Sequence, residues 1–379
     1  MAKRKGKSQH RRSDWARHAG DDSRDNPTDF SRQSLSRRAV KLPSFRLEAP
    51  GDNLDNLPKL EGMVVSFFPG GAIVRHDGAM LLCGIAKTFR AAEGSSPLAV
   101  GDQVTVAVTR PDQASPNLSD MDRSDGMILS RRPRRTLLAR PQPRSGKRRD
   151  PHAQSACEKV IVVNMDILLI VASTSQPTFN QGLIDRFLIA AQRGEMTPIL
   201  VINKTDLARP DPNISAEFIE LGGEVFPCSA VNGTGIDAIS DRLKGHTSVL
   251  AGASGVGKST IINAIIPNAQ AATNPVRVKD NRGRHTTAAA VVYDLPAGGM
   301  IVDTPGIREL EVRLDPAQLP WFFPEFQPFA LKCRFNNCTH THEPGCEVIR
   351  AFEAGEISSR RYKGYLRLRE DIIAAKGRR

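Results

Sequence analysis

No apolar run in this chain approaches the roughly 18 residues that a membrane-crossing helix needs. The longest, Ile167 to Ala172 (ILLIVA), is far shorter, so no transmembrane helix is expected. The N-terminus MAKRKGKSQHRRSDW is basic but is not followed by an apolar stretch, which argues against a secretory signal and for a cytoplasmic protein. Cysteine is scarce, at 6 of 379 residues, too few for a disulfide framework. Aromatic residues are scarce as well, at 5% against 40% hydrophobic residues, so a buried core is available to most of the length but not to all of it.

At 379 residues the chain is too long for one compact core and suits two or three domains. Lys and Arg total 53 against 41 Asp and Glu, and the net charge of +12 favours a polyanionic partner. The excess is concentrated. Residues 1 to 20 hold seven Lys/Arg and one acid, residues 131 to 149 hold nine and none, and residues 360 to 379 hold eight and two. One such run is ordinarily a solvated surface, whereas three together point to nucleic acid.

Residues 1–57 are polar and without sustained period, and are expected to be a disordered basic extension. Over 58–135 the short β-rich runs GMVVSFF, GAIVRH, AMLLCGI, QVTVAVT and GMILS suggest an OB-fold-like barrel, which periodicity alone does not separate from an SH3-like one. Residues 136–157, rich in Arg and Pro, read as a mobile basic linker. From 158 to 314 apolar strands (VIVVN, DILLIVAS, PILVIN, EVFPCS, TSVLAG, AAVVYDL, GMIVD) alternate with amphipathic helices, the pattern of a parallel sheet covered on both faces. Residues 315–379 hold a Cys/His cluster and a basic helical tail. The expected architecture is therefore multidomain, with an OB-like barrel, an α/β P-loop domain and a C-terminal zinc-binding helical module.

The α/β segment carries the chemistry. Gly252-Ala253-Ser254-Gly255-Val256-Gly257-Lys258-Ser259 fits the phosphate loop G-x-x-x-x-G-K-S and lies between a strand and a helix. Its glycines let backbone N–H groups turn onto phosphates, Lys258 is placed for the β and γ phosphates, and the Ser259 hydroxyl suits Mg²⁺. Asn203-Lys204-Thr205-Asp206 follows the strand PILVIN. The Asp206 carboxylate can accept from both the N1–H and the exocyclic amine of guanine, a donor pair adenine lacks. Asn203 can address the opposite edge and the Lys204 stem can cover the ring. Ser229-Ala230 supplies a small-residue turn whose Ala230 N–H would meet guanine O6. Asp303-Thr304-Pro305-Gly306 ends another strand, suiting Asp303 to hold Mg²⁺ through water and the Gly306 N–H to sense the γ-phosphate. Between these lies DNRGRHTTAA, where Thr286 or Thr287 can complete a GTP-ordered switch; spacing does not choose between them.

The order of the motifs is permuted: Asn203 precedes Gly252 by 49 residues and the Asp303 motif comes last. A permuted chain forms the same sheet when its new ends lie on the surface. The residue after Gly306 is Ile307, where many GTPases place a water-orienting glutamine. His285 is the nearest group able to position water or accept a proton near pH 7, the alternative being an ordinary loop histidine. In the tail, Cys333, Cys338, His340 and Cys346 offer three thiolates and an imidazole, a closed tetrahedral structural Zn²⁺ site, with His342 competing for the nitrogen position. Because this module has little aliphatic core, zinc is expected to supply much of its folding energy. Cys83, Cys157 and Cys228 read as core or incidental thiols.

This set of motifs, from about residue 58 to 370, resembles the RsgA (YjeQ) family of circularly permuted GTPases of small ribosomal subunit biogenesis. The resemblance implies a cytoplasmic enzyme that takes GTP and GDP with Mg²⁺ and holds one structural Zn²⁺; a monomer is expected because nothing in the sequence suggests a symmetric interface. It also implies binding to the 30S subunit and its 16S rRNA late in maturation, with slow hydrolysis alone, faster hydrolysis on the subunit, and release afterwards. It places the catalytic role on His285 and the zinc ligands on Cys333, Cys338, His340 and Cys346. The basic N-terminal extension and the insertion PQPRSGKRRDPHAQSAC depart from the family and are open to further rRNA contacts. Two other readings are a nucleotide-regulated RNA-binding module with negligible hydrolysis, motivated by Ile307, and an ATP-dependent nucleic-acid enzyme, motivated by the phosphate loop and charge.

Overall fold

Residues 54–68, 71–86, 89, 97–109, 125–141, 158–267, 290–304, 307, 312 and 314–377 are described by a computed structural model, and all lie in one unit, Leu47–Arg379. The first five strands are β1 (Lys59–Phe68), β2 (Gly71–His76), β3 (Ala79–Ile85), β4 (Gln103–Val108) and β5 (Gly126–Arg131). They close into a barrel in the order β1-β2-β3-β5-β4, with β3 and β5 parallel. The β2–β3 hairpin turns on Asp77 and Gly78, both at positive φ (45° and 82°), the backbone that a tight twisted hairpin requires and that an Asp-Gly pair accommodates. Val64, Val74, Cys83, Val104, Val106 and Ile128 fill the interior. On the outer face Met63, Val65, Ile73 and Leu82 are also buried, against Val292 and Met300 of the α/β sheet. Burial on both faces is why β1 reads as a continuous apolar run rather than an alternation.

Part of the segment expected as a mobile linker is a strand. β6 (Leu137–Pro141) pairs antiparallel with β7 (Glu158–Val163) in a separate two-stranded sheet, so the run VIVVN is not part of the parallel sheet. The Arg and Pro residues around it mask a short alternation in which Leu138 is buried and Leu137 exposed. The ribbon also locks the barrel down. The Val163 N–H donates to Val100 O at 2.9 Å, and buried Asp102 accepts from Arg134 Nε and Nη2 at 2.8 Å each.

The central sheet contains β8 (Ile167–Ser173), β9 (Thr197–Asn203), β10 (Glu224–Pro227), β11 (Thr247–Ala251), β12 (Val291–Asp294) and β13 (Met300–Asp303). Their order is β10-β9-β8-β11-β13-β12; all neighbours are parallel except the edge strand β12. Helices α1 (Gln181–Arg193), α2 (Pro212–Glu220), α3 (Ile236–Leu243) and α4 (Lys258–Ile265) follow β8, β9, β10 and β11. Alternate residues of β8 serve two cores, one with Ile184 and Phe187 of α1, the other with Ile239 of α3 and Ile261 of α4. Only Phe218 of α2 is buried, so the hydrophobic pattern hides this helix; its signals are the Asp211 cap on the Asn213 N–H and Pro212 in the first turn.

The C-terminal module holds α5 (Gln327–Ala330), α6 (Glu347–Glu353) and α7 (Ser359–Gly377). Contrary to the expectation of a weak core, it concentrates the scarce rings. Phe323, Phe326 and Tyr365 are fully buried, with centroids 5.0 to 5.3 Å apart. Ile189 of α1 joins this cluster, so the module is docked on the sheet domain. Arg361 secures the docking: it pairs with buried Asp185 of α1, donates from Nε to Glu325 at 2.6 Å, and lies 4.5 Å over the Phe323 ring. Arg361→Ala is expected to destabilise the chain by about 3 kcal/mol, because Asp185 stays buried without its partner. Arg361→Lys should recover less than half, lacking the fork that reaches two carboxylates. Urea denaturation of both variants checks this.

Candidate nucleotide and metal sites

The phosphate loop runs from the end of β11 into α4, near the middle of the sheet. Gly252, Gly255 and Gly257 sit at φ of 140°, 81° and 96°, a backbone that side-chain-bearing residues rarely adopt. A Cβ on Gly252 would lie 2.3 Å from Val171 O, and one on Gly257 would lie 2.3 Å from Asn203 Nδ2. The second approach joins the site. Asn203, only 3% exposed at the end of β9, donates from Nδ2 to Val256 O at 2.9 Å and accepts from the Ala230 N–H at 3.1 Å. One amide thus ties the NKTD loop, the small-residue turn and the phosphate loop together. Its side chain is committed to these protein groups, whereas Asp206 three residues later is exposed.

Asp206 is oriented by Ser229, whose hydroxyl donates to Oδ1 at 2.5 Å. Lys204, at φ 65°, donates from Nζ to Gln176 O, and its own carbonyl accepts from Thr174 Oγ1 at 2.7 Å. Thr174 and Gln176, at the carboxyl end of β8, were not signalled by any motif; the polar turn TSQP after an apolar strand at the ligand-binding edge is the cue that finds them. Lys258 Nζ donates to Gly252 O and Ala253 O at 2.7 Å, folded back on its own loop. Ala253 is half-buried and Ser254 and Gly255 are exposed, so the loop crest faces outward.

Ser259 is exposed at the start of α4, and Asp303 ends β13 opposite Leu250 of β11, so both belong to the same edge of the sheet. A hydroxyl and a carboxylate there are the oxygen donors that Mg²⁺ takes. Ile307 is 1% exposed and packs in the sheet core, so the position that often carries a water-orienting side chain faces inward here. Gly306, Thr286, Thr287 and His285 lie outside the described residues.

The four ligand atoms of Cys333, Cys338, His340 and Cys346 all lie within 4.8 Å of one another. The separations Cys333–His340, Cys333–Cys346 and His340–Cys346 are 3.6, 3.9 and 3.4 Å. A tetrahedral ion with Zn–S bonds near 2.3 Å has edges of about 3.8 Å, so the cluster can hold a metal ion of that kind. The structure selects His340, which is buried, over exposed His342, whose Nδ1 contacts the Thr341 hydroxyl at 2.8 Å. Burial pushes the Cys338 thiol up to about 12, raises Cys346 and lowers His340. A bound dication reverses the thiol shifts and releases protons. Tyr362 Oη donates to His340 O at 2.9 Å and Tyr365 Oη to Thr339 O at 2.6 Å, anchoring the ligand turn on α7. Cys83 and Cys228 are fully buried, and burial pushes each thiol up to about 12; Cys157 lies outside the described residues.

Comparison with known proteins places this arrangement. A family model described as RsgA GTPase matches residues 132–313. A protein of Gemmatimonas aurantiaca named small ribosomal subunit biogenesis GTPase RsgA is 37% identical over 285 residues, covering 74% of this chain and 87% of that protein. The chain belongs to the RsgA GTPase family. An RsgA of Burkholderia pseudomallei is 38% identical over 280 residues, covering 72% of this chain and 81% of its own. The crystal structure of YjeQ from Thermotoga maritima matches with a TM-score of 0.61 at 30% identity, covering 83% of this chain and 99% of that one. YloQ, described as a circularly permuted GTPase, matches at 0.60 and 25% identity, covering 85% of this chain and 96% of its own. The permuted motif order of this chain matches the circular permutation named for YloQ. Removing metal with a chelator should abolish the near-ultraviolet circular dichroism of the anchored tyrosines in this RsgA-family module. The far-ultraviolet helical signal should fall only in part, because α1 to α4 belong to the sheet domain.

Proposed function

We propose that this chain hydrolyses GTP in the biogenesis of the small ribosomal subunit, binding the 30S particle and its 16S rRNA as a cytoplasmic monomer and leaving after hydrolysis. The observation that carries the reading is the Asn203 amide, which closes the base-reading and phosphate-binding loops around one site. In this reading Asp206 takes the guanine edge, held by Ser229, while Lys204 covers the ring and Ala230 faces O6. The loop Gly252–Ser259 wraps the phosphates, with Lys258 leaving its loop carbonyls for them. Ser259, Asp303 and Thr286 or Thr287 would hold Mg²⁺, which would supply positive charge beside the phosphates. Gly306 senses the γ-phosphate and His285 positions the attacking water. The Cys333, Cys338, His340 and Cys346 cluster holds a structural Zn²⁺.

The buried side chain of Ile307 favours a second reading, a guanine-nucleotide-regulated RNA-binding module with negligible turnover. Multiple-turnover phosphate release with purified small subunits separates the two, a flat trace supporting the second. His285→Ala should keep GDP affinity and lower turnover about 100-fold, the usual scale of one positioned acid–base group; unchanged turnover removes this role. Asp206→Asn should weaken GTP binding about 100-fold and improve xanthosine triphosphate binding, since the amide pairs with the xanthine edge. Competition binding with both nucleotides measures the exchange.

A further inference from the structure

Away from the nucleotide loops, a cavity of about 610 Å³ opens where the start of α1 meets α7. Its lining includes four cationic side chains, Arg186, Arg360, Lys363 and Arg367, against the single acid Asp371. Two of the cations brace the walls: Arg186 pairs with Asp371 at 2.5 Å, and Arg360 pairs with Glu217 of α2. Gly364 allows α7 this close to α1, for a Cβ there would lie 2.6 Å from Asp185 Oδ2. The remaining two, Lys363 and Arg367, are exposed and have no ion pair among the described residues. Four residues apart on one helix, they are separated by about 6 Å along its axis, comparable to the step between consecutive phosphates of a nucleic-acid strand.

The geometry points to this groove as a docking site for an RNA phosphodiester backbone, with Lys363 and Arg367 on successive phosphates. The inference rests on the proposal that small-subunit RNA is the partner and names the surface that would meet it. RNA suits the groove better than a protein segment does. The apolar side chain in the lining, Leu368, is itself 2% exposed, so a protein would find no aromatic or aliphatic anchor, whereas phosphate attraction needs only cations. The bracing ion pairs fix the groove before binding, so little side-chain freedom is lost on docking beyond that of the two free cations. Because α7 also anchors the metal turn through Tyr362 and Tyr365, RNA held here would grip the module and the sheet domain at their seam.

The test compares the full chain with Lys363→Gln/Arg367→Gln and with a charge-matched control, Lys159→Gln/Lys244→Gln, whose lysines are exposed elsewhere. Binding to protein-free small-subunit rRNA and to whole small subunits is measured across a salt series. The groove variant should bind both about ten-fold more weakly at physiological salt, and the slope of log affinity against log salt should shrink by about two. The control should change neither by more than two-fold. Melting temperature and intrinsic GTP turnover should match the parent, since both groove cations are exposed. A groove variant that binds rRNA like the control overturns the proposal. So does a loss on whole subunits with none on protein-free rRNA, which would assign the groove to a protein. If the parent chain fails to bind small subunits while the groove variant alone loses naked-RNA affinity, the functional reading falls and the groove stands.

Discussion

The nucleotide site depends on one buried carboxamide. Asn203 reaches Val256 and Ala230 only because Gly257 has no side chain in its way, so a glycine in one motif and an asparagine 54 residues earlier form a single joint. That joint holds three loops together at one edge of the sheet. The base reader and the phosphate loop come from strands β9 and β11, which are not neighbours but flank β8, and their loops must be brought together by side-chain hydrogen bonds rather than by the sheet ladder. A buried amide with both its oxygen and its nitrogen satisfied is stable, and removing either partner leaves a polar group unpaired in the core.

Around this joint the two appendages attach to different sides of the sheet. The barrel packs Met63, Val65, Ile73 and Leu82 on Val292 and Met300, and Arg75 pairs with Asp294. These contacts fall on β12 and β13, the strands next to the segments that hold His285 and Gly306. The C-terminal module rests on α1 through Arg361 and Asp185, on the other flank of the phosphate-loop strand. Each appendage therefore touches a different part of the nucleotide domain.

The motifs were legible because each is a local solution to a local demand: glycines for a loop that curls on phosphate, a carboxylate for a donor pair, thiolates for a soft metal. The barrel and the alternating sheet were legible from period and punctuation. Other features were not. Strand β6 lay hidden in an Arg- and Pro-rich stretch because its partner β7 starts 17 residues after it ends. Helix α2 buries one residue and leaves no stripe. The module's core is hard to read in the sequence because its aliphatic members are scattered from Leu314 to Ile372 among the rings, and one, Ile189, comes from α1. Thr174 and Gln176 have no motif, since they hold Lys204 by one hydroxyl donated to its carbonyl and one backbone oxygen that accepts from its Nζ.

The sequence by itself determined the chemical types on offer: a glycine-rich loop suited to phosphate, a carboxylate suited to a guanine donor pair, three thiols with two candidate histidines, and a permuted order of motifs. Those properties travel with side-chain type and short spacing. Tertiary structure alone decided which histidine faces the thiols, that Asn203 serves as a joint between loops, and that Arg361 clamps the module to α1. It also decided that Lys363 and Arg367 stand over a groove with no ion pair among the described residues. The physical reason is that these depend on burial and on partners many residues away, and a one-dimensional pattern carries no information about which distant groups the folded chain brings into contact.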